Sequence, residues 1–265
     1  MKCSKILLLT FLLFFLMEGM SLCAQTDWHN SLESSLLSRC DRENFSSFIF
    51  KPCRQHRDAD TYQWNSRHEE VLKYNNEHHP EIVMIGNSIT HYWGGLPFEK
   101  RRVADDVWQK LFKGRTVVNM GFGWDRIENV MWRIIHGELD GFQAKKIFIM
   151  VGTNNLQLNS DQEIVSGIGQ IVEMVKKKQP QAQVYVVKIL PRRGFETRLV
   201  GLNHVLDAQL TGKPNVQVID FSSLVVNSDG TLKEELFSDG LHPNHKGYEL
   251  ISTELSGYIM MPYLK

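Results

Sequence analysis

From Glu81 onward the chain alternates two kinds of apolar pattern. Short, β-branched runs occur at Ile82 to Ile85, Thr116 to Met120, Lys146 to Val151, Val184 to Leu190 and Val216 to Phe221, each closed by a glycine, a proline or polar residues. Runs this short and this continuous predict strands buried on both faces. Between them apolar residues recur at helical spacing. Ile127, Val130, Met131, Ile134 and Ile135 fall at i, i+3, i+4, i+7 and i+8 ahead of Gly137, an amphipathic stripe with a glycine stop. Ser160 and Glu163 form a capping box for a helix carrying Ile164, Ile168, Ile171, Val172 and Val175 on one face. Its closing Lys176 to Lys178 complements the negative end of the helix dipole, so this basic run requires no nucleic-acid partner. Further helices are expected over Thr197 to Leu210 and His245 to Ile259. Five strands alternating with helices predict an α/β fold, a parallel sheet covered on both faces. In such sheets ligands bind at the carboxyl ends of the strands, so the residues just after each strand carry the functional interest.

Residues 25–80 differ. They are polar, lack strand signals until Phe48 to Phe50, and end in an expected helix from Thr61 to about Asn76. They read as an N-terminal extension packed on a main domain of residues 81–265. Ahead of them, Lys2 and Lys5 precede an apolar run from Ile6 to Met17 and small residues around Ser21 to Ala24. This is the pattern of a secretory signal peptide over residues 1–24, with cleavage after Ala24. The run is short of the roughly 20 residues that span a bilayer, so no stable membrane insertion is expected after cleavage. Leu22 is bulky where a lipid-attachment signal at Cys23 wants a small residue. The expected location is periplasmic or extracellular. Cys40 and Cys53 then remain in an oxidising compartment, either as a disulfide or as two thiols.

Composition narrows the function classes without choosing one. The 265 residues are 42% apolar and 23% charged, with 30 basic against 30 acidic side chains, which is globular material with no electrostatic case for nucleic acid.

Chemistry gathers at the strand ends. Gly86-Asn87-Ser88 follows the first strand, with Ile89, Thr90 and His91 opening a helix. Ser88 is placed either as a nucleophile in the crevice or as an ordinary helix N-cap. The second glycine of a Gly-x-Ser-x-Gly elbow is absent, since Thr90 stands there. After the second strand runs Asn119-Met120-Gly121-Phe122-Gly123-Trp124-Asp125, a ligand-approaching turn or a plain turn with Asp125 as N-cap. Gly152-Thr153-Asn154-Asn155 follows the third strand, and an asparagine amide there either donates to an oxyanion or merely forms a turn. Asp239-Gly240-Leu241-His242-Pro243 spaces a carboxylate and an imidazole by about one turn, so that Asp239 can hold His242 Nδ1 while Nε2 faces outward. A zinc site using His242 and His245 lacks a ligand pattern with enough members. Trp93 and Trp124 either wall a sugar or acyl site or simply pack.

In their order and positions, these four segments resemble the successive blocks of the SGNH (GDSL-type) hydrolase superfamily, over about residues 80 to 260. Within it, Asn119 to Phe142 and Gly152 to Asn155 resemble the catalytic subunits of intracellular platelet-activating-factor acetylhydrolase. The resemblance implies a flavodoxin-like three-layer sandwich with a five-stranded sheet, a serine nucleophile, no metal and no cofactor. It implies Ser88 as nucleophile, His242 as general base, Asp239 as its orienter, and Asn154 with the Ser88 N–H as oxyanion donors. One position departs from the pattern: Trp124 stands where the block-two glycine aligns, with Gly123 just before it, so either backbone N–H could complete the oxyanion hole. The expected activity is that of an exported serine esterase removing small acyl groups, acetyl first, from carbohydrate. The alternatives are a lysophospholipase, lipid esterase or thioesterase of the same fold, and a non-catalytic glycan-binding domain.

Overall fold

The computed structural model describes residues 48–262. The signal segment, its cleavage site and Cys40 lie outside the described residues. Among the described residues, no helix is long and apolar enough to cross a membrane.

Five strands form one all-parallel sheet: β1 (Ile82–Gly86), β2 (Val117–Gly121), β3 (Lys146–Met150), β4 (Gln183–Val187) and β5 (Val216–Ile219), in the order β2-β1-β3-β4-β5. That order is the flavodoxin-like one, and its switch point lies where β1 separates β2 from β3. The first four strands are buried on both faces, as their uninterrupted apolar runs predict. Alternate side chains feed two cores. Val83, Ile85, Ile147 and Ile149 face the layer of α1 (Trp64–His78), α4 (Ile127–Ile135), α5 (Asp161–Lys178) and α6 (Glu196–Leu210). Ile82, Met84, Phe148 and Met150 face the layer holding α2 (Ser88–His91), α3 (Asp105–Leu111) and α8 (His245–Met260). A short α7 (Ser222–Val225) follows β5. These three layers arise because side chains of a strand alternate between faces and both faces here are apolar.

Several local expectations are corrected. Phe48 to Phe50 form a turn, with Ile49 seated in the first core, and no strand. The fourth strand stops at Val187, short of Leu190, because the Asn203 side chain takes over both backbone groups of Ile189, donating at 2.9 Å and accepting at 3.0 Å. The helix opened by Ser88 lasts a single turn, with Tyr92 as its C-cap. A long-helix dipole is therefore missing behind Ser88, and individual N–H groups remain. Elsewhere the Ser160–Glu163 capping box forms as expected, and helices over Ile127 to Ile135 and from His245 match their periodicity. Residues 48–80 contribute Ile49, Trp64 and Val71 to the first core.

Candidate active site

Ser88 sits one residue beyond Asn87, which is the true N-cap of α2 and accepts from the Ile89 N–H at 2.9 Å. The cap role considered for Ser88 is thereby filled by its neighbour, and its hydroxyl is left for other chemistry. This turn crosses the sheet end at close quarters. A Cβ on Gly121 would lie 2.2 Å from the His91 backbone nitrogen, so the last residue of β2 has to be glycine.

His242 arrives from the loop ahead of α8. Asp239 Oδ1 accepts from the backbone N–H groups of Leu241 (3.0 Å) and His242 (2.8 Å), folding the loop back on itself. Its other oxygen lies 2.7 Å from His242 Nδ1, and His242 Nε2 lies 2.8 Å from Ser88 Oγ. Partial burial would raise the Asp239 carboxyl, but the backbone N–H and the imidazole outweigh it and hold the group below its ordinary range. An ionised carboxylate there keeps a proton on Nδ1 and leaves the Nε2 lone pair toward the serine. Ser88 is 4% exposed, and the Tyr92 ring stacks obliquely 5.6 Å from His242. His245 pairs instead with Asp106, 3.0 Å away, so the two histidines of this stretch answer to different carboxylates. Among the described residues no three His, Cys, Asp or Glu side chains are grouped to hold a metal ion.

Asn154 stands in the 3₁₀ turn after β3, half-buried, with its amide donating to the Asp125 carbonyl at 2.9 Å. One N–H of that amide is thus used to hold the second-block turn, and the other is left for a ligand.

The second-block turn separates the two donors that sequence left open. The Gly123 N–H is taken, donating to His91 Nδ1 at 3.0 Å. Trp124 has φ +63°, the left-handed region that favours glycine, and its N–H bonds to no other described residue. Its indole is 52% exposed. Trp93, expected as the facing wall, is 0% exposed and stacks on Tyr248 within the second core. It cannot touch a substrate. Its helix ends two residues earlier, at His91, and the chain then folds the indole inward between Trp108 and Tyr248. Asp125 is also corrected: Arg126 occupies the N-cap position of α4, and the Asp125 side chain is buried against Arg133 Nε (2.8 Å), Trp64 Nε1 (2.7 Å) and Gln55 Nε2 (3.1 Å). Burial pushes its carboxyl up to about 6 against the pull of Arg133.

The residues missed at the sequence level surround this turn. His91 is buried and its imidazole is driven down to about 3, first by burial and then by Arg67. Glu99 stands 3.0 Å from its Nε2 and, despite its own burial, is held at about 2 by that imidazole and the Arg101 N–H. His91 is therefore neutral, with Nδ1 the acceptor and the proton on Nε2. Arg133 gave no signal in the sequence: it lies off the apolar stripe of α4 and is buried only because Asp125 and Glu138 fold against it, at 2.8 and 2.5 Å.

Comparison with known proteins gives the same outline. The model of the GDSL-like Lipase/Acylhydrolase family matches residues 84–250. Platelet-activating factor acetylhydrolase IB subunit alpha2 from Gallus gallus is 31% identical over 202 residues, covering 75% of this chain and 84% of its own. Among solved structures, a member of the lipolytic protein G-D-S-L family from Veillonella parvula superposes with TM-score 0.56 at 21% identity, covering 68% of this chain and 98% of its own. An acetylxylan esterase from Geobacillus stearothermophilus superposes with TM-score 0.53 at 15% identity, covering 70% and 96%. At these identities the two structures speak for the fold alone.

Proposed function

Because the chain belongs to the GDSL-like lipase/acylhydrolase family, and so to enzymes that hydrolyse ester bonds, we propose that it is an exported serine esterase that removes small acyl groups, acetyl first, from carbohydrate. The reading rests on one observation above the others: an unbroken chain of short contacts from Ser88 Oγ through His242 to Asp239. In it His242 takes the Ser88 proton as the hydroxyl attacks the ester carbonyl, and the Ser88 and Trp124 N–H groups with Asn154 receive the charge on the carbonyl oxygen. The same imidazole returns the proton to the leaving alcohol. Water, deprotonated by His242 in its turn, then releases the acyl group from Ser88.

Export motivates carbohydrate, because a protein carrying the Lys2 to Ala24 signal would meet decorated glycans outside the cell. The acetyl group has support of another kind, from relatives named for acetylhydrolysis. Their named substrate, platelet-activating factor, also favours the second reading, a lipid esterase of the same mechanism. The test is turnover of p-nitrophenyl acetate and of a panel of acetylated glycans and acyl lipids, with Ser88→Ala as control. Ser88→Ala should lower kcat on p-nitrophenyl acetate by at least about 10³-fold while the protein stays folded. Near wild-type turnover in that variant would sink the serine mechanism, and activity confined to lipids would replace the substrate.

A further inference from the structure

The peptide that carries the Trp124 N–H is gripped from behind. Its carbonyl, that of Gly123, accepts two hydrogen bonds from outside the segment matched by the family: Gln55 Nε2 at 2.9 Å and the Tyr62 hydroxyl at 2.8 Å. A trans peptide is rigid and planar, with its C=O and N–H pointing in opposite directions. Fixing the oxygen therefore fixes the direction of the hydrogen. The neighbouring peptides are held too, the Gly123 N–H by His91 and the Trp124 carbonyl by Arg57 at 3.1 Å. We propose that Gln55 and Tyr62 are positioning residues of the oxyanion hole, holding the Gly123–Trp124 peptide so that its N–H faces the carbonyl oxygen of the substrate.

The two side chains are built for the task. Gln55 is 1% exposed, and its Oε1 accepts from the Arg57 backbone N–H at 2.7 Å, which settles the amide orientation and leaves Nε2 as the donor. That nitrogen reaches both Gly123 O and Asp125 Oδ1, bracketing Trp124. Burial and the nearby Asp125 push the Tyr62 phenol far above its ordinary range, so it remains a hydroxyl that can donate. Its ring meets His91 edge-on at 4.9 Å, tying the donor to the residue that holds the Gly123 N–H. There is also something to restrain. A tryptophan at φ +63° sits where its Cβ opposes the backbone, and flipping this peptide is one route to relieving that strain. Gln55 and Tyr62 act against that flip.

The inference rests on the serine-esterase reading, and its test separates the two. Tyr62→Phe removes one hydroxyl and leaves the ring, and Tyr62→Phe with Gln55→Met removes both donors. With p-nitrophenyl acetate, kcat should fall about 5-fold in the single variant and about 10²-fold in the double, KM staying within about twofold, since losing one oxyanion donor lowers kcat by about 10² to 10³. A methyl trifluoromethyl ketone supplies the second readout. Ser88 Oγ adds to its carbonyl carbon, the serine proton passes to His242 Nε2, and the oxygen becomes the anion that the hole must hold. Its inhibition constant should rise in step with the loss of kcat. Folded variants with unchanged kcat, or with reduced kcat and an unchanged inhibition constant, would overturn the positioning role. An active Ser88→Ala protein would instead overturn the serine reading beneath it. Tyr62→Phe keeps the core filled, so it decides the matter even if the double variant does not fold.

Discussion

Trp124 joins the two questions a single residue can ask, of strain and of specificity. A non-glycine side chain in the left-handed region costs about 1 to 2 kcal/mol, and glycine at the same place returns roughly 0.4 to 1 kcal/mol of that to the freedom of the unfolded chain. Trp124→Gly should thus leave stability within about 1 kcal/mol of wild type, as a thermal melt would show. Trp124 is half-exposed and carries the N–H proposed for the oxyanion, and we propose on that ground that its indole limits the acyl side of the crevice. Discrimination per methylene is worth about 1 to 3 kcal/mol, and the ratio of kcat/KM for octanoate over acetate esters should rise at least about tenfold in the glycine variant. A wild-type preference for octanoate, or an unchanged ratio, would remove Trp124 from substrate selection. The anomaly at this position was legible from the motif alone. That the facing tryptophan, Trp93, is spent on the core was not, because aromatic residues next to a motif read alike whether they pack or bind.

Among the elements, α2 has the most unequal ratio of size to consequence. One turn carries Ser88 toward His242 and His91 toward the Gly123 N–H. The neutral His91 makes a pH prediction whose sign follows from proton counting. Its folded value of about 3 lies below the ordinary 6.5, so the unfolded chain binds a proton first as pH falls. Stability from this group is complete above about pH 6.5 and is lost on acidification toward 3, by up to about 1.4 kcal/mol per pH unit. Glu99, held at about 2, loses stability in the same direction below about 4.5. Asp125, raised to about 6, works the opposite way between about 6 and 3.8. Comparing wild type with His91→Gln isolates the first effect: from pH 7 to 5 the melting temperature of the variant should fall less steeply. Equal slopes would mean that His91 is not held neutral. Helix periodicity could not have placed α2, since four residues are too few to show a period.

At the scale of the whole molecule the site is an assembly of loops from distant parts of the chain. Ser88 and His242 are 154 residues apart in sequence, and Gln55 lies 68 from Gly123. What brings the first pair together is the switch in strand order at β1, which opens the sheet's carboxyl edge just where Ser88 leaves it. Asp239 and His242 should then behave as one unit toward Ser88. His242→Ala and Asp239→Asn should each be severe, and adding Asp239→Asn to His242→Ala should lower kcat no more than about threefold further. Multiplicative losses in the double variant would give Asp239 a separate task.

Residue patterns by themselves determined the strand and helix alternation, the buried character of the central strands and the capping of α5, because each depends on the local period of apolar side chains. Ser88, Asn154, Asp239 and His242 were each ambiguous alone; the order of their segments, two of them directly after strands that periodicity locates, carried the resemblance that brought them out, while Asp239 and His242 follow no strand end. Tertiary structure alone decided that Asp125 is a buried anchor and not a helix cap, that Trp93 packs inward, and that the Gly123 N–H is already taken while that of Trp124 is not. The physical reason is the same in each case. A local pattern reports that a face is apolar or that a group is polar, but the partner of a buried hydrogen-bonding group is supplied by whichever remote segment folds against it, here residues 55 to 67 and the turn of α2.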